Sequence, residues 1–93
     1  MPKSPADGPA IARRGTRYTL ECRTLGLRIR ALRQRRRWTL EHAAGLMDLD
    51  LAHLQRIEAG RINVTLATLV RISGAFGVRL RGLFSGSESK EES

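Results

Sequence analysis

The sequence predicts an all-α domain. Apolar residues recur at helical spacing in four separate stretches, and each stretch is bounded by a capping residue, a glycine or a turn. The 93 residues, 41% of them apolar with two Phe, one Trp and one Tyr, suffice for one modest core and leave no room for a large enclosed active site.

The elements follow in order. Leu25, Ile29 and Leu32 form an i, i+4, i+7 stripe in an Arg-rich first helix that should end near Arg36 or Arg37. Ahead of it, Arg17-Tyr18-Thr19-Leu20-Glu21-Cys22-Arg23 alternates like a strand. Two readings stay open there: an early extension of the first helix, or a short strand pairing with a partner chain. Thr39 caps a second helix whose inward face is Leu40, Ala43, Ala44 and Met47. In DLDLAHLQRIEAG, Asp50 caps a third helix that runs to about Ala59 and ends at Gly60. Leu49, Leu54 and Ile57 lie on its buried stripe, so Leu51 and Ala52 face outward. Thr65 caps a fourth helix with Leu66, Leu69, Ile72 and Phe76 facing in and Gly77 ending it; a last turn, Arg79 to Phe84, adds Leu80, Leu83 and Phe84. Residues 1–17, which hold all three prolines, read as a flexible arm; residues 18–84 form the domain, and 85–93 a disordered acidic tail. No internal repeat is visible.

Charge narrows the partners. Seventeen Lys and Arg oppose nine Asp and Glu, for a net +8, and all the cations but Lys3 and Lys90 are Arg. Arginine forks onto phosphates and guanine edges, which favours double-stranded DNA over a diffuse membrane attraction. No apolar run approaches the length of a spanning helix, and MPKSPADGPAIARRG has no apolar core of a signal peptide. One cysteine, Cys22, makes no internal disulfide, so the cytoplasm is the expected compartment; a Cys22–Cys22 link across a dimer is the alternative use of the thiol. His42 and His53 have no ligand-spaced companions, and no nucleophile constellation, paired catalytic carboxylates or phosphate-binding glycine loop occurs. Neither a metal, a cofactor nor enzyme activity is expected.

Two short helices joined by a tight turn, the second exposed at its start, make a helix-turn-helix, whose second helix enters a DNA major groove. Ala44 is small where the two helices cross. From LGLRIRALRQRR through TLEHAAGLMDLDLAHLQRIEAG and RINVTLATLVRISGAFGV to RLRGLF, Leu25 to Phe84, the chain resembles the lambda-repressor-like, Cro/CI-type helix-turn-helix domains. The resemblance implies a compact five-helix bundle acting as a two-fold dimer, with the third helix in the major groove. It also implies an ion pair between the first and third helices, here Arg33 and Glu58, whose value is orientation more than net stability.

The departures are informative. Leu40 stands where the family usually carries Gln, and Asp48 replaces the turn glycine, a substitution that tolerates a left-handed backbone. At the base-reading positions stand Leu51, Ala52, Gln55 and Arg56. The apolar pair touches thymine methyls, while Gln55 and Arg56 hydrogen-bond adenine and guanine edges. Phosphate contacts are assigned to Thr39, Arg35, Arg36, Arg37 and Arg61, and Arg13, Arg14 and Arg17 could form a minor-groove arm. The arginine run also reads as a solvated helix end complementing the dipole. Trp38 reads as a hinge or core residue between the first two helices. Val78, Leu80, Leu83 and Phe84 are more apolar surface than the last turn of so small a bundle buries, which points to a homodimer interface. The competing reading is a protein-interaction module, antitoxin-like, with Leu51 as an anchor for a protein partner.

Overall fold

The structure, a computed structural model, describes residues 14–84. Residues 1–13 of the expected arm 1–17 and the acidic tail from Ser85 lie outside the described residues, while residues 14–17 of that arm are helical and continue into the domain. A π-helical turn, Arg14–Tyr18, leads into α1 (Thr19–Arg35), followed by α2 (Leu40–Met47), α3 (Leu51–Glu58), α4 (Leu66–Phe76) and a 3-10 turn, Leu80–Leu83. Among the described residues the result is an all-α bundle with four α-helices; the segment that should supply a fifth makes a single 3-10 turn. Residues 14–23 are helical, which decides between the two readings of the alternating segment in favour of the extended first helix.

Two hydroxyl caps are present at helix starts. Thr39 Oγ1 accepts from His42 N at 3.0 Å and Thr65 Oγ1 from Thr68 N at 3.1 Å, satisfying N–H groups that the first turn leaves unpaired. Asp50 occupies the cap position of α3 but makes no side-chain cap bond.

The four helix ends share one device. Within two residues of each helix end one residue takes positive φ, at Arg37, Asp48, Gly60 and Gly77, and the next N–H reaches back five residues to close the turn, as in Trp38 N to Arg33 O at 3.2 Å. At Gly60 the need is double: φ is +72°, and an added Cβ would stand 2.8 Å from Arg23 Cα. Asp48, at φ 58° and ψ 47°, accepts the left-handed turn. Arg37, at φ 59°, has no such aptitude. Arg37→Gly is therefore expected to raise stability by about 1 kcal/mol, read by urea unfolding, because the left-handed conformation is costly for a side chain with a Cβ. A loss of stability would refute the strained cap.

The core is built from Leu25, Ile29 and Leu32 of α1, Ala43, Ala44 and Met47 of α2, Leu54 and Ile57 of α3, Leu69, Ile72 and Phe76 of α4, and Leu83. Trp38, Leu40, Leu49, Val78 and Leu80 pack partly buried against it. Two apolar assignments change. Leu66 is 64% exposed, because the buried stripe of α4 begins with Thr68 and Leu69, beyond the capped first residues. Leu83 is fully buried: the 3-10 turn folds it under the bundle, where Arg28 Nε of α1 donates to Gly82 O at 3.0 Å. No helix among the described residues is long and apolar enough to cross a membrane.

Candidate nucleic-acid interface

The orientation of α3 is set from α1. Arg33 Nε donates to Glu58 Oε2 at 2.7 Å and Nη2 to Oε1 at 3.0 Å, a two-pronged pair with side chains only 11% and 7% exposed. Nη1 of the same arginine donates to Trp38 O at 2.9 Å, so one guanidinium joins α1, the loop before α2 and the end of α3. Planar fork geometry makes such a contact directional as well as charged. Close by, Gly26 lets the backbones of α1 and α3 approach: an added Cβ would lie 2.5 Å from the carbonyl oxygens of both Ile57 and Glu58.

Held this way, α3 buries Leu54 and Ile57 and leaves Leu51, Ala52, Gln55 and Arg56 on its exposed side, with Leu51 36% exposed. Ala52, Gln55, Arg56, Ala59 and Arg61 line an open cleft of about 360 Å³. A second cleft, of about 260 Å³, is lined by Arg30, Arg33, Leu40, Gln55, Glu58 and Ala59. Gln55 and Ala59 are the shared wall. Leu40 thus gives this second cleft an apolar wall where the family usually has an amide. Arg30 and Ala59 were missed from sequence; Arg30 is one turn before Arg33 on the same helix side, and that i, i+3 relation was the available signal. Electrostatically the exposed side is divided: Asp50, Leu51 and Ala52 make the start of α3 acidic and apolar, while Arg56 in its last turn and Arg61 in the loop beyond it are basic. Asp48 lies 3.7 Å from Arg71, an exposed pair of little energetic consequence.

The arginine run separates into different roles. Arg35 and Arg37 are exposed. Arg36 is half-buried, and its Nη2 donates to Phe76 O, the last carbonyl of α4, at 2.6 Å, while Nη1 donates to Leu32 O at 3.2 Å. Its guanidinium also lies 5.0 Å from the Phe76 ring and 5.7 Å from the Trp38 ring. Burial, and then the charge of Arg35, lower its pKa from the ordinary arginine value. Arg36 therefore ties the ends of α1 and α4 together, and a phosphate would compete with contacts it already makes. Trp38 is a hinge: it stacks on Phe76 at 5.4 Å and 10°, and meets His42 edge-on at 5.5 Å. Thr39 uses its oxygen as the α2 cap, which leaves its hydroxyl proton to donate. Arg17 is exposed; Arg13 lies outside the described residues. No group of three or more His, Cys, Asp or Glu among the described residues could hold a metal ion.

A family model described as helix-turn-helix matches residues 29–83. An HTH-type transcriptional regulator, DdrOP3, of Deinococcus deserti is 34% identical over 61 residues, 66% of this chain and 47% of that protein. The immunity repressor protein of Bacillus phage phi105 is 37% identical over 71 residues, 74% of this chain and 49% of the repressor. The chain thus spans about half the length of the curated relatives it matches. Among solved structures, the restriction-modification controller protein C.AhdI from Aeromonas hydrophila superposes with a TM-score of 0.68 at 29% identity, covering 70% of this chain and 98% of the controller. The hypothetical transcription factor NHTF from Neisseria also reaches 0.68, at 22% identity over 77% of this chain and 83% of that one, which speaks to the fold alone.

Proposed function

We propose that this chain, which belongs to the lambda-repressor-like, Cro/CI-type helix-turn-helix family, is a sequence-specific DNA-binding transcriptional regulator that places α3 in the major groove and acts as a two-fold dimer in the cytoplasm. The observation that carries the reading is a rigidly oriented α3 whose exposed side presents Gln55 and Arg56 above the clefts, on a chain of net charge +8. Gln55 and Arg56 have the donors and acceptors for adenine and guanine edges, and Leu51 and Ala52 offer methyl contacts to thymine. Arg35, Arg37, Arg61 and the Thr39 hydroxyl serve phosphates. The names of the relatives, a transcriptional regulator and a repressor among them, support the same reading.

The test is a titration against a random duplex and against sequences selected from a randomised pool, at two salt concentrations. Affinity should fall by about 0.9 log units per log unit of salt for each phosphate neutralised. Arg56→Ala should cost roughly 1–3 kcal/mol on the selected duplex and relax preference at one base position, while Leu51→Ala should cost less. Unchanged DNA binding in Arg56→Ala would favour the protein-interaction reading, in which a desolvated leucine, Leu51, dominates the contact with a partner protein.

For the dimer, the burial of Leu83 removes it from the interface read from sequence. Phe84, 53% exposed, remains the largest apolar group there, with Val78 and Leu80 partly buried beside the core. Leu66 at 64% and Val70 at 52% add an exposed i, i+4 pair on α4. A two-fold pair would set two α3 helices about 34 Å apart, one turn of DNA. Phe84→Glu should shift sedimentation toward monomer at tens of micromolar; a wild-type chain that is monomeric both free and on DNA would defeat the dimer.

A further inference from the structure

The outer side of α1, opposite the buried stripe of Leu25, Ile29 and Leu32, carries a second apolar stripe. Leu20 is 56% exposed and Leu27 62%, and Ala31 continues the row as an exposed residue. At 100° per residue these three fall within one narrow sector of the helix. Exposed arginines border it on both sides, Arg23 and Arg30 along one edge and Arg17 and Arg35 along the other. Glu21, the only acidic residue of α1, lies off the stripe. Scattered surface leucines need no explanation, but Leu20 and Leu27 share one face of one helix, and that face is framed by cations.

From this arrangement we infer that the outer face of α1 is a docking surface for an acidic amphipathic helix of a partner protein, whose apolar ridge lies on Leu20, Leu27 and Ala31 while its carboxylates meet the flanking arginines. Guanidinium forks match carboxylates two-pronged, which gives such a surface direction as well as charge. The other occupants fit less well. A second copy docked face to face would set arginine rows against arginine rows. The chain's own SGSESKEES has the right charge but no apolar residue to cover the leucines. DNA phosphates gain nothing from Leu20 and Leu27. A membrane surface would be served by bulkier aromatic side chains, and the stripe has none.

Arg30 and Arg35 at the edges of this surface also face the proposed DNA side, but Leu20 and Leu27 do not line the clefts beside α3, so substitution of the two leucines is separable from DNA binding. The probe is a pair of synthetic helical peptides of about 18 residues with the same leucine ridge, one flanked by Glu and one by Lys, together with vesicles of phosphatidylcholine and phosphatidylglycerol. The full chain should bind the acidic peptide at least roughly tenfold more tightly than the basic one, and Leu20→Gln/Leu27→Gln should weaken that binding by a similar factor. Both side chains are exposed, so the double variant should keep its helical circular dichroism and its affinity for the selected duplex. Three results would overturn the proposal: no binding of the acidic peptide, equal binding by the double variant, or vesicle binding that depends on the two leucines in place of peptide binding.

Discussion

Glu58→Ala is expected to destabilise the protein by about 3–5 kcal/mol, because it leaves the guanidinium of Arg33 without its carboxylate in a site where the side chain is only 11% exposed. Breaking one half of a buried pair costs more than the pair itself is worth, since the remaining charge stays desolvated. Against a total stability of roughly 5–15 kcal/mol for a small domain, that loss removes a large share. Urea unfolding followed by circular dichroism measures it directly. The double variant Arg33→Met/Glu58→Leu should recover much of the stability, because no unpaired charge remains, and yet bind DNA more weakly, because the fork that orients α3 is gone. A Glu58→Ala loss below about 1 kcal/mol would show the pair to be a solvated surface contact instead.

Gly26→Ala ranks next. Within a helix, alanine is favoured over glycine by about 1 kcal/mol. Here the opposing term is larger: the added Cβ would stand 2.5 Å from the Ile57 and Glu58 carbonyl oxygens, which are backbone and cannot rotate away. Overpacking of this kind costs about 1–3 kcal/mol beyond the propensity gain, and relief requires α1 and α3 to separate. Because α3 carries the proposed base-reading residues, DNA affinity should fall even at temperatures where the variant remains folded. Gly45 and Gly74 serve as internal controls, since a Cβ at either would meet nothing within 4 Å. Their alanine variants should gain up to about 1 kcal/mol. If Gly26→Ala stabilised like the controls, the close crossing of α1 and α3 would be wrong.

Taken by itself, the sequence determined what local chemistry determines. The helical stripes, the threonine caps at Thr39 and Thr65 and the glycine stops at Gly60 and Gly77 were legible, because periodicity and capping depend on residues within one turn of each other. The outward placement of Leu51 and Ala52 followed from the same periodicity. The Arg33–Glu58 pair was foreseen only through family resemblance, since no local pattern links residues 25 positions apart. Tertiary structure alone decided the rest. An apolar residue near a chain turn does not announce what will stand over it, so Leu83 went into the core and Leu66 stayed out. Four arginines within five residues look alike in sequence. Only the approach of Phe76 from the end of α4 set Arg36 apart from Arg35 and Arg37. Nor does an arginine signal a left-handed backbone: Arg37 takes φ 59° because the chain must turn there to bring Trp38 back over Phe76. Each of these outcomes depends on two segments distant in sequence meeting at contact range, which is information that spacing along the chain does not hold.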